Sequence, residues 1–228
     1  MCVKSQEAKM KNNIVKTLNS IPTVLAKNFK KFAGRPAMIF DDGRSISYSD
    51  MRWDIFKTAN ALRFFGGTTP KSVAIFIDNS PQAVETVYGV LSIGAKAILL
   101  RYTMSAEEIK TALEEQQCEV IFIRAENISL LPENCEASIL EITDNRVLKV
   151  VDKEVHEKRI QKAVAQSKNK ERVIAVTYSH GMQSTVLTRK DFEKFTEKKS
   201  KSEKPLDALV EYLRRLVNAF VTGRAVNV

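Results

Sequence analysis

Residues 177–188 read Thr-Tyr-Ser-His-Gly-Met-Gln-Ser-Thr-Val-Leu-Thr, and they hold the densest set of groups able to do chemistry in the chain. Hydroxyls at Thr177, Ser179, Ser184 and Thr185, the amide of Gln183, the imidazole of His180 and the flexible backbone at Gly181 follow one another here. Groups of this kind beyond a strand can hold an anion. A loop that cradles phosphates needs more. Several glycines must let backbone N–H groups approach the anion without a Cβ clash, and a lysine usually adds a point charge. This segment has only Gly181, and no lysine before Lys190. His180 can be read as a ligand contact at a strand end or as a plain loop residue.

The elements that must position this segment alternate strand and helix. Val73–Ile77 is a continuous apolar run, as expected of a strand buried on both faces. A helix over Gln82–Ile93 stops at Gly94. Then come a strand at Ala97–Leu100, a helix at Ala106–Gln117 and a strand at Val120–Ile123. Such alternation with short connections predicts a parallel sheet with right-handed crossovers. Ser138–Ile142 reads as a further strand, Lys153–Gln166 as a charged helix, and Val173–Thr177 as the strand leading into the segment above. A helix is expected within Leu187–Lys199.

Upstream, Ser20 caps a helix through about Phe32, with Pro22 in its first turn. Strands at Ala37–Phe40 and Ser45–Tyr48 flank the turn Asp41-Asp42-Gly43. Ser49 or Asp50 then caps a helix carrying Ile55, Ala59, Leu62 and Phe65 on one face, ended by Gly66-Gly67. Downstream, Lys198–Pro205 reads as a linker. Leu206, Leu209, Val210, Leu213, Leu216, Val217 and Phe220 fall at helical spacing, and Ala225–Val228 has the composition of a last short strand. The division expected is a basic segment over 1–19, an α/β domain over 20–197, a linker over 198–205, and an amphipathic helix with a short strand over 206–228.

Five stretches in register resemble a known family. They are Arg35-Pro-Ala-Met-Ile-Phe-Asp-Asp-Gly43, Ser47-Tyr-Ser-Asp-Met51 with Ala59-Asn-Ala-Leu-Arg63, Val73 to Pro81, Leu91-Ser-Ile-Gly-Ala95, and Ser105-Ala-Glu-Glu-Ile109. In that order and spacing the chain is similar to the N-terminal part of the AMP-forming acyl-CoA synthetases, within the adenylate-forming ligase (AMP-binding) superfamily. The similarity resumes at Val173–Phe192 and, weakly, at Leu213–Val228. It implies a layered helix–sheet–helix α/β fold with a mostly parallel sheet, the N-terminal subdomain of that ligase fold, plus the C-terminal helix. It also implies descent from enzymes that use ATP and magnesium to activate carboxylic acids, as in fatty acid metabolism, and pass the acyl group to coenzyme A or a carrier-protein thiol.

The resemblance is incomplete where it matters. The family loop reads Thr-Ser-Gly-Thr-Thr-Gly-x-Pro-Lys-Gly. Aligned on Val186-Leu187-Thr188, its lysine falls on Gln183, the following glycine on Ser184, the second glycine on His180 and the first on Thr177. The segments that contact adenine, metal and ribose in the family have no counterpart here. Leu99 and Tyr102 stand where the family has prolines. The expectation is a degenerate, truncated relative: a pseudoenzyme with no catalytic residues and no cofactor of its own, acting as a binding or scaffold module. One alternative is a component of a ligase with retained ligand binding. Another is a basic module for nucleic acid or membrane.

Composition bounds these readings. The chain has 228 residues, 44% hydrophobic and 28% charged, which is globular. No apolar run approaches the ~20 residues of a membrane span, and no signal core follows the N-terminus, so a cytoplasmic location is expected. Cys2, Cys118 and Cys135 have no metal-ligand spacing, and Cys118 is expected at the start of a buried strand. His156, in a Lys/Glu-rich run, is expected to be a solvated surface residue. The net charge is +9, concentrated in the head and in Lys194–Lys204. Such a surface attracts an acidic protein, and acyl carrier protein is the partner the resemblance implies. The Lys and Ser stretch of this run lacks the interleaved aromatics that stack bases, which argues against nucleic acid. An exposed sheet edge would invite self-association or a partner.

Overall fold

The computed structural model describes residues 27–64, 69–78, 80–133, 135–142, 173–178, 184–188, 190–191 and 208–227. The strands are β1 (Pro36–Ile39), β2 (Ser45–Ser47), β3 (Ser72–Phe76), β4 (Lys96–Leu100), β5 (Val120–Ile123), β6 (Ser138–Glu141), β7 (Val173–Tyr178), β8 (Ser184–Thr188) and β9 (Val226–Asn227). The helices are α1 (Tyr48–Phe64), α2 (Pro81–Ser92), α3 (Ala106–Gln116) and α4 (Ala208–Thr222), with a 3-10 helix at Ala125–Leu130. Residues 27–31 are also helical.

Six strands form the main sheet in the order β6-β5-β3-β4-β7-β8. All neighbours run parallel except β7 and β8, which are antiparallel. The chain steps from β3 to β4 in one direction, then returns past β3 to β5. Right-handed crossovers therefore put α2 and α3 on opposite faces. The alternation along each strand shows this. Val73, Ile75, Ala97, Leu99 and Ala175 belong to the apolar cluster shared with α1, α2 and α4. Ala74, Phe76, Ile98, Leu100, Val176 and Tyr178 belong to the cluster under α3. With both faces covered, β3, β4 and β5 need near-continuous apolar sequence, and they have it.

Each helix has a local reason to start and stop. Ser80 accepts from the Ala83 N–H at 3.2 Å, with Pro81 at the first position of α2. Ser105 and Glu108 make a reciprocal capping box at α3. At α1 the cap is Ser47, not Ser49 or Asp50. The Asp50 N–H reaches Ser47 Oγ at 3.1 Å, and that hydroxyl donates to the Asp50 carboxylate at 2.7 Å. The helix starts early because Tyr48 is wholly buried, and a ring at its first position reaches the core.

A second sheet has the order β2-β1-β9, with β1–β2 antiparallel and β1–β9 parallel. Its third strand comes from the far end of the chain. Val210, Leu213, Leu216, Val217 and Phe220 of α4 are buried in the same cluster as α1 and α2. The amphipathic stripe expected at the C-terminus is thus packed against the α/β body wherever its side chains are described. The charged helix expected at Lys153–Gln166, Gly66-Gly67, His156, the linker Lys198–Pro205 and the basic run Lys194–Lys204 lie outside the described residues.

Candidate functional site

In a parallel sheet, ligand groups gather beyond the carboxyl ends of the strands where the winding reverses, here between β3 and β5. Three strand ends contribute side chains. At β3, Asp78 accepts from the Ser80 N–H at 2.9 Å and from the Ser80 hydroxyl. Its other carboxylate oxygen takes the Arg124 Nε at 2.6 Å, from just beyond β5. Burial works against the Asp78 charge, yet the Ser80 and Arg124 hydrogen bonds hold its carboxyl below the usual range. At β4, the Tyr102 ring packs 5.2 Å from that of Phe76, and burial with the nearby Asp78 carboxylate raises its phenol pKa. Leu99 is wholly buried. The two residues standing where the family has prolines therefore fill apolar space.

The third end is that of β7. Thr177 is 1% exposed and is the next-to-last residue of β7. It pairs with Thr185 in the antiparallel ladder, and Tyr178 pairs with Ser184. Among the sequence-predicted site residues, the structure thus brings Thr177, Ser184 and Thr185 together at the rim of a hairpin. Ser184 and Thr185 are exposed there. Ser179, His180, Gly181 and Gln183 lie outside the described residues. The stretch 184–188, which begins at the last position aligned with the family loop, is a strand, so a helix within Leu187–Lys199 can begin only after Thr188. Its content of Thr, Val and Thr suits a pleated surface better than a loop. At Thr188 the chain turns toward its next element: the Thr188 N–H and hydroxyl both donate to the Asp191 carboxylate, at 3.0 and 2.7 Å.

Two groups of residues were not singled out from sequence. One is Asp78, Ser80 and Arg124. Its signal was a Ser before Pro at a helix start, and an arginine directly after an apolar strand. The other surrounds Tyr178. Its hydroxyl donates to the Glu115 carboxylate at 3.0 Å and accepts from the Gln116 amide at 3.0 Å. Gln116 in turn accepts from Lys96 Nζ at 2.9 Å. These partners are more than sixty residues from Tyr178 in sequence, so no local pattern reveals them.

The chemistry available at this edge is hydrogen bonding and charge. Among the described residues no three His, Cys, Asp or Glu side chains cluster as metal ligands. Cys118 lies two residues before β5, with its Sγ 3.8 Å from Ser72 Oγ, and burial pushes its thiol up to about 11. Burial of this kind favours the protonated, less reactive thiol. No helix among the described residues is long and apolar enough to cross a membrane.

Known proteins are similar to this chain in sequence and fold. The 3-hydroxybenzoate–CoA ligase of Aromatoleum sp. (strain CIB) is 28% identical over 101 residues, covering 44% of this chain and 19% of that ligase. Among solved structures, an artificially fused adenylation–PCP di-domain, NpsA-ThdA of Klebsiella oxytoca, superposes with a TM-score of 0.66 at 17% identity, covering 91% of this chain and 39% of that one. The N-terminal subdomain of Klebsiella oxytoca NpsA, in complex with 3-hydroxybenzoyl-AMSN, gives a TM-score of 0.64 at 16% identity, covering 91% of this chain and 53% of that one. The chain thus spans about a fifth of the curated ligase's length and about half of a solved N-terminal subdomain. The family described as AMP-binding enzyme matches residues 25–210, most of the chain. With the strand–helix order, the sheet and these matches in agreement, the chain belongs to the AMP-binding enzyme family.

Proposed function

We propose that this chain is a binding or scaffold module of adenylate-forming ligase descent that does not form acyl-adenylates by itself. One observation carries the reading: Thr177 and Ser184, which stand at two glycine positions of the family loop, are strand residues of the β7–β8 ladder, Thr177 opposite Thr185 and Ser184 opposite Tyr178. Thr177 is a β-branched residue buried where a phosphate loop needs an open backbone. Backbone groups engaged with a neighbouring strand do not turn toward a triphosphate. With Gln183 at the lysine position, several charge-assisted hydrogen bonds of about 1.5–3 kcal/mol each are forfeited. These residues do not fit ATP–magnesium in the manner of the family loop.

The retained role we favour is recognition. The ligase relative acts on 3-hydroxybenzoate, and the solved subdomain holds 3-hydroxybenzoyl-AMSN, so an aryl-adenylate analogue is the natural small-molecule probe. The solved di-domain joins its adenylation unit to a PCP, and this chain carries a net charge of +9, so an acidic carrier protein is the natural protein probe. The cytoplasm is the compartment proposed for such a partnership. A second reading, one part of a split ligase, is favoured by the β8 edge, where Val186 is 52% exposed.

Parallel calorimetric titrations with ATP–magnesium, 3-hydroxybenzoyl-AMSN and acyl carrier protein test the proposal. The expected result is micromolar binding to carrier protein or to the analogue. Carrier binding should weaken as salt rises, because charge steering is screened over about 8–10 Å. No binding to any of the three up to high micromolar concentration contradicts it. Restored ligase activity on adding a chain that supplies the rest of the fold favours the second reading.

A further inference from the structure

We infer that Tyr178 is a positioning residue: its hydroxyl, shared between Glu115 and Gln116, holds the rim formed by Thr177, Ser184 and Thr185 against the last turn of α3. The inference rests on the reading that this rim faces the ligand, but its test does not.

Tyr178 is the last residue of β7 and points to the α3 face, opposite to Thr177. Its ring fills the apolar cluster with Phe76, Leu100 and Leu113, and only its hydroxyl reaches the polar end of the helix. There the phenol donates to Glu115 and accepts from Gln116, each at 3.0 Å. Gln116 uses its carbonyl on Lys96 at 2.9 Å, so the tether extends to the start of β4. Burial pushes the phenol up to about 12, so it keeps its proton, and its capacity to donate, through the physiological range.

Glu115 breaks a local rule. It lies in the last turn of α3, where no basic residue offsets the helix dipole and a carboxylate is disfavoured. It is exposed, so burial does not explain it either. The Tyr178 hydroxyl supplies a compensating donor to Glu115. Because Tyr178 pairs with Ser184 and Thr177 with Thr185, fixing one strand end fixes both sides of the rim.

Backbone amide exchange read residue by residue tests this. In Tyr178→Phe, which keeps the ring and deletes the hydroxyl, those rim amides (Thr177, Ser184, Thr185) protected in the wild type should exchange about tenfold faster, the size of one hydrogen bond to a charged group. Amides of Ala74 and Ile75 in β3 should be unchanged. Glu115→Ala alters only an exposed side chain and should reproduce the effect. Glu115→Gln, whose amide oxygen still accepts, should restore most of the protection. Unchanged rim exchange in Glu115→Ala overturns the inference. So does an equal acceleration at Ala74 and Ile75 in either variant, since that reports global destabilisation and no local mooring. Ligand binding by the wild type is read separately, by the titrations above. Their failure would remove the ligand-facing role and leave the mooring result standing.

Discussion

The Tyr48 hydroxyl donates to the Arg224 carbonyl at 2.8 Å across 176 residues of sequence, and shares its proton with the Ala219 carbonyl at 3.2 Å. Around this bond the rings of Phe29, Tyr48, Tyr88 and Phe220 pack edge-on or tilted, with centroids 5.1 to 5.9 Å apart. The end of the chain is therefore part of the fold's opening layer. Tyr48→Phe keeps the ring and removes the donor, so it should cost about 1–2 kcal/mol. Urea unfolding checks it, and an unchanged midpoint would show the bond to be worthless.

Gly223 ends α4 with φ at +69°, and the Arg224 N–H closes back on the Ala219 carbonyl at 2.9 Å. Added at this glycine, a Cβ would stand 2.5 Å from the Phe32 ring. Gly223→Ala therefore combines left-handed strain with a clash, and should destabilise by about 2–3 kcal/mol. A loss below about 0.5 kcal/mol in denaturant unfolding would mean that the turn and Phe32 relax freely.

Leu213 is 1% exposed at the centre of the α4 stripe. Leu213→Asp puts a charge into an apolar cluster and should cost about 4 kcal/mol or more, enough to unfold most of the protein. Circular dichroism against temperature reads this directly. An unchanged melting temperature would show that α4 does not contribute to the core.

Glu85 is 3% exposed between α1 and α2, near Lys57, which is itself paired with Asp54 at 3.1 Å. Burial pushes its carboxyl up to about 8, with Lys57 opposing. An unfolded Glu titrates near ~4.3, so between the two values the folded chain holds a proton that the unfolded chain has released. Stability from this group is full below about 4.3, falls as pH rises, and is gone above about 8. Glu85→Gln should gain on the wild type between about pH 5 and about pH 8, by a few kcal/mol at the top. Parallel unfolding free energies across that range would contradict it.

Much of the fold was legible because its signals are local. The apolar runs of β3, β4 and β5 appear within one or two residues of the expected bounds, as do α2 and α3. The stripe of α4 was readable from spacing alone. What escaped notice depends on distant partners. Tyr48 enters α1 because Phe220 and Arg224 wait for it, which moved the cap back to Ser47. The strand at Ser184–Thr188 was hidden because five residues without alternating apolar and polar positions give no strand pattern until β7 is laid beside them. Asp78 carries no local signal of its own, since the ion pair that gives it a role is made 46 residues away at Arg124.

The central claim is the proposed one, recognition without adenylation, motivated by Thr177 and Ser184 lying in the β7–β8 ladder. Acid-dependent exchange of labelled pyrophosphate into ATP, with 3-hydroxybenzoate as the acid and magnesium present, tests it most directly. The account predicts exchange no faster than a blank without protein. Exchange above that blank, dependent on the acid and lost on heat denaturation, would contradict it.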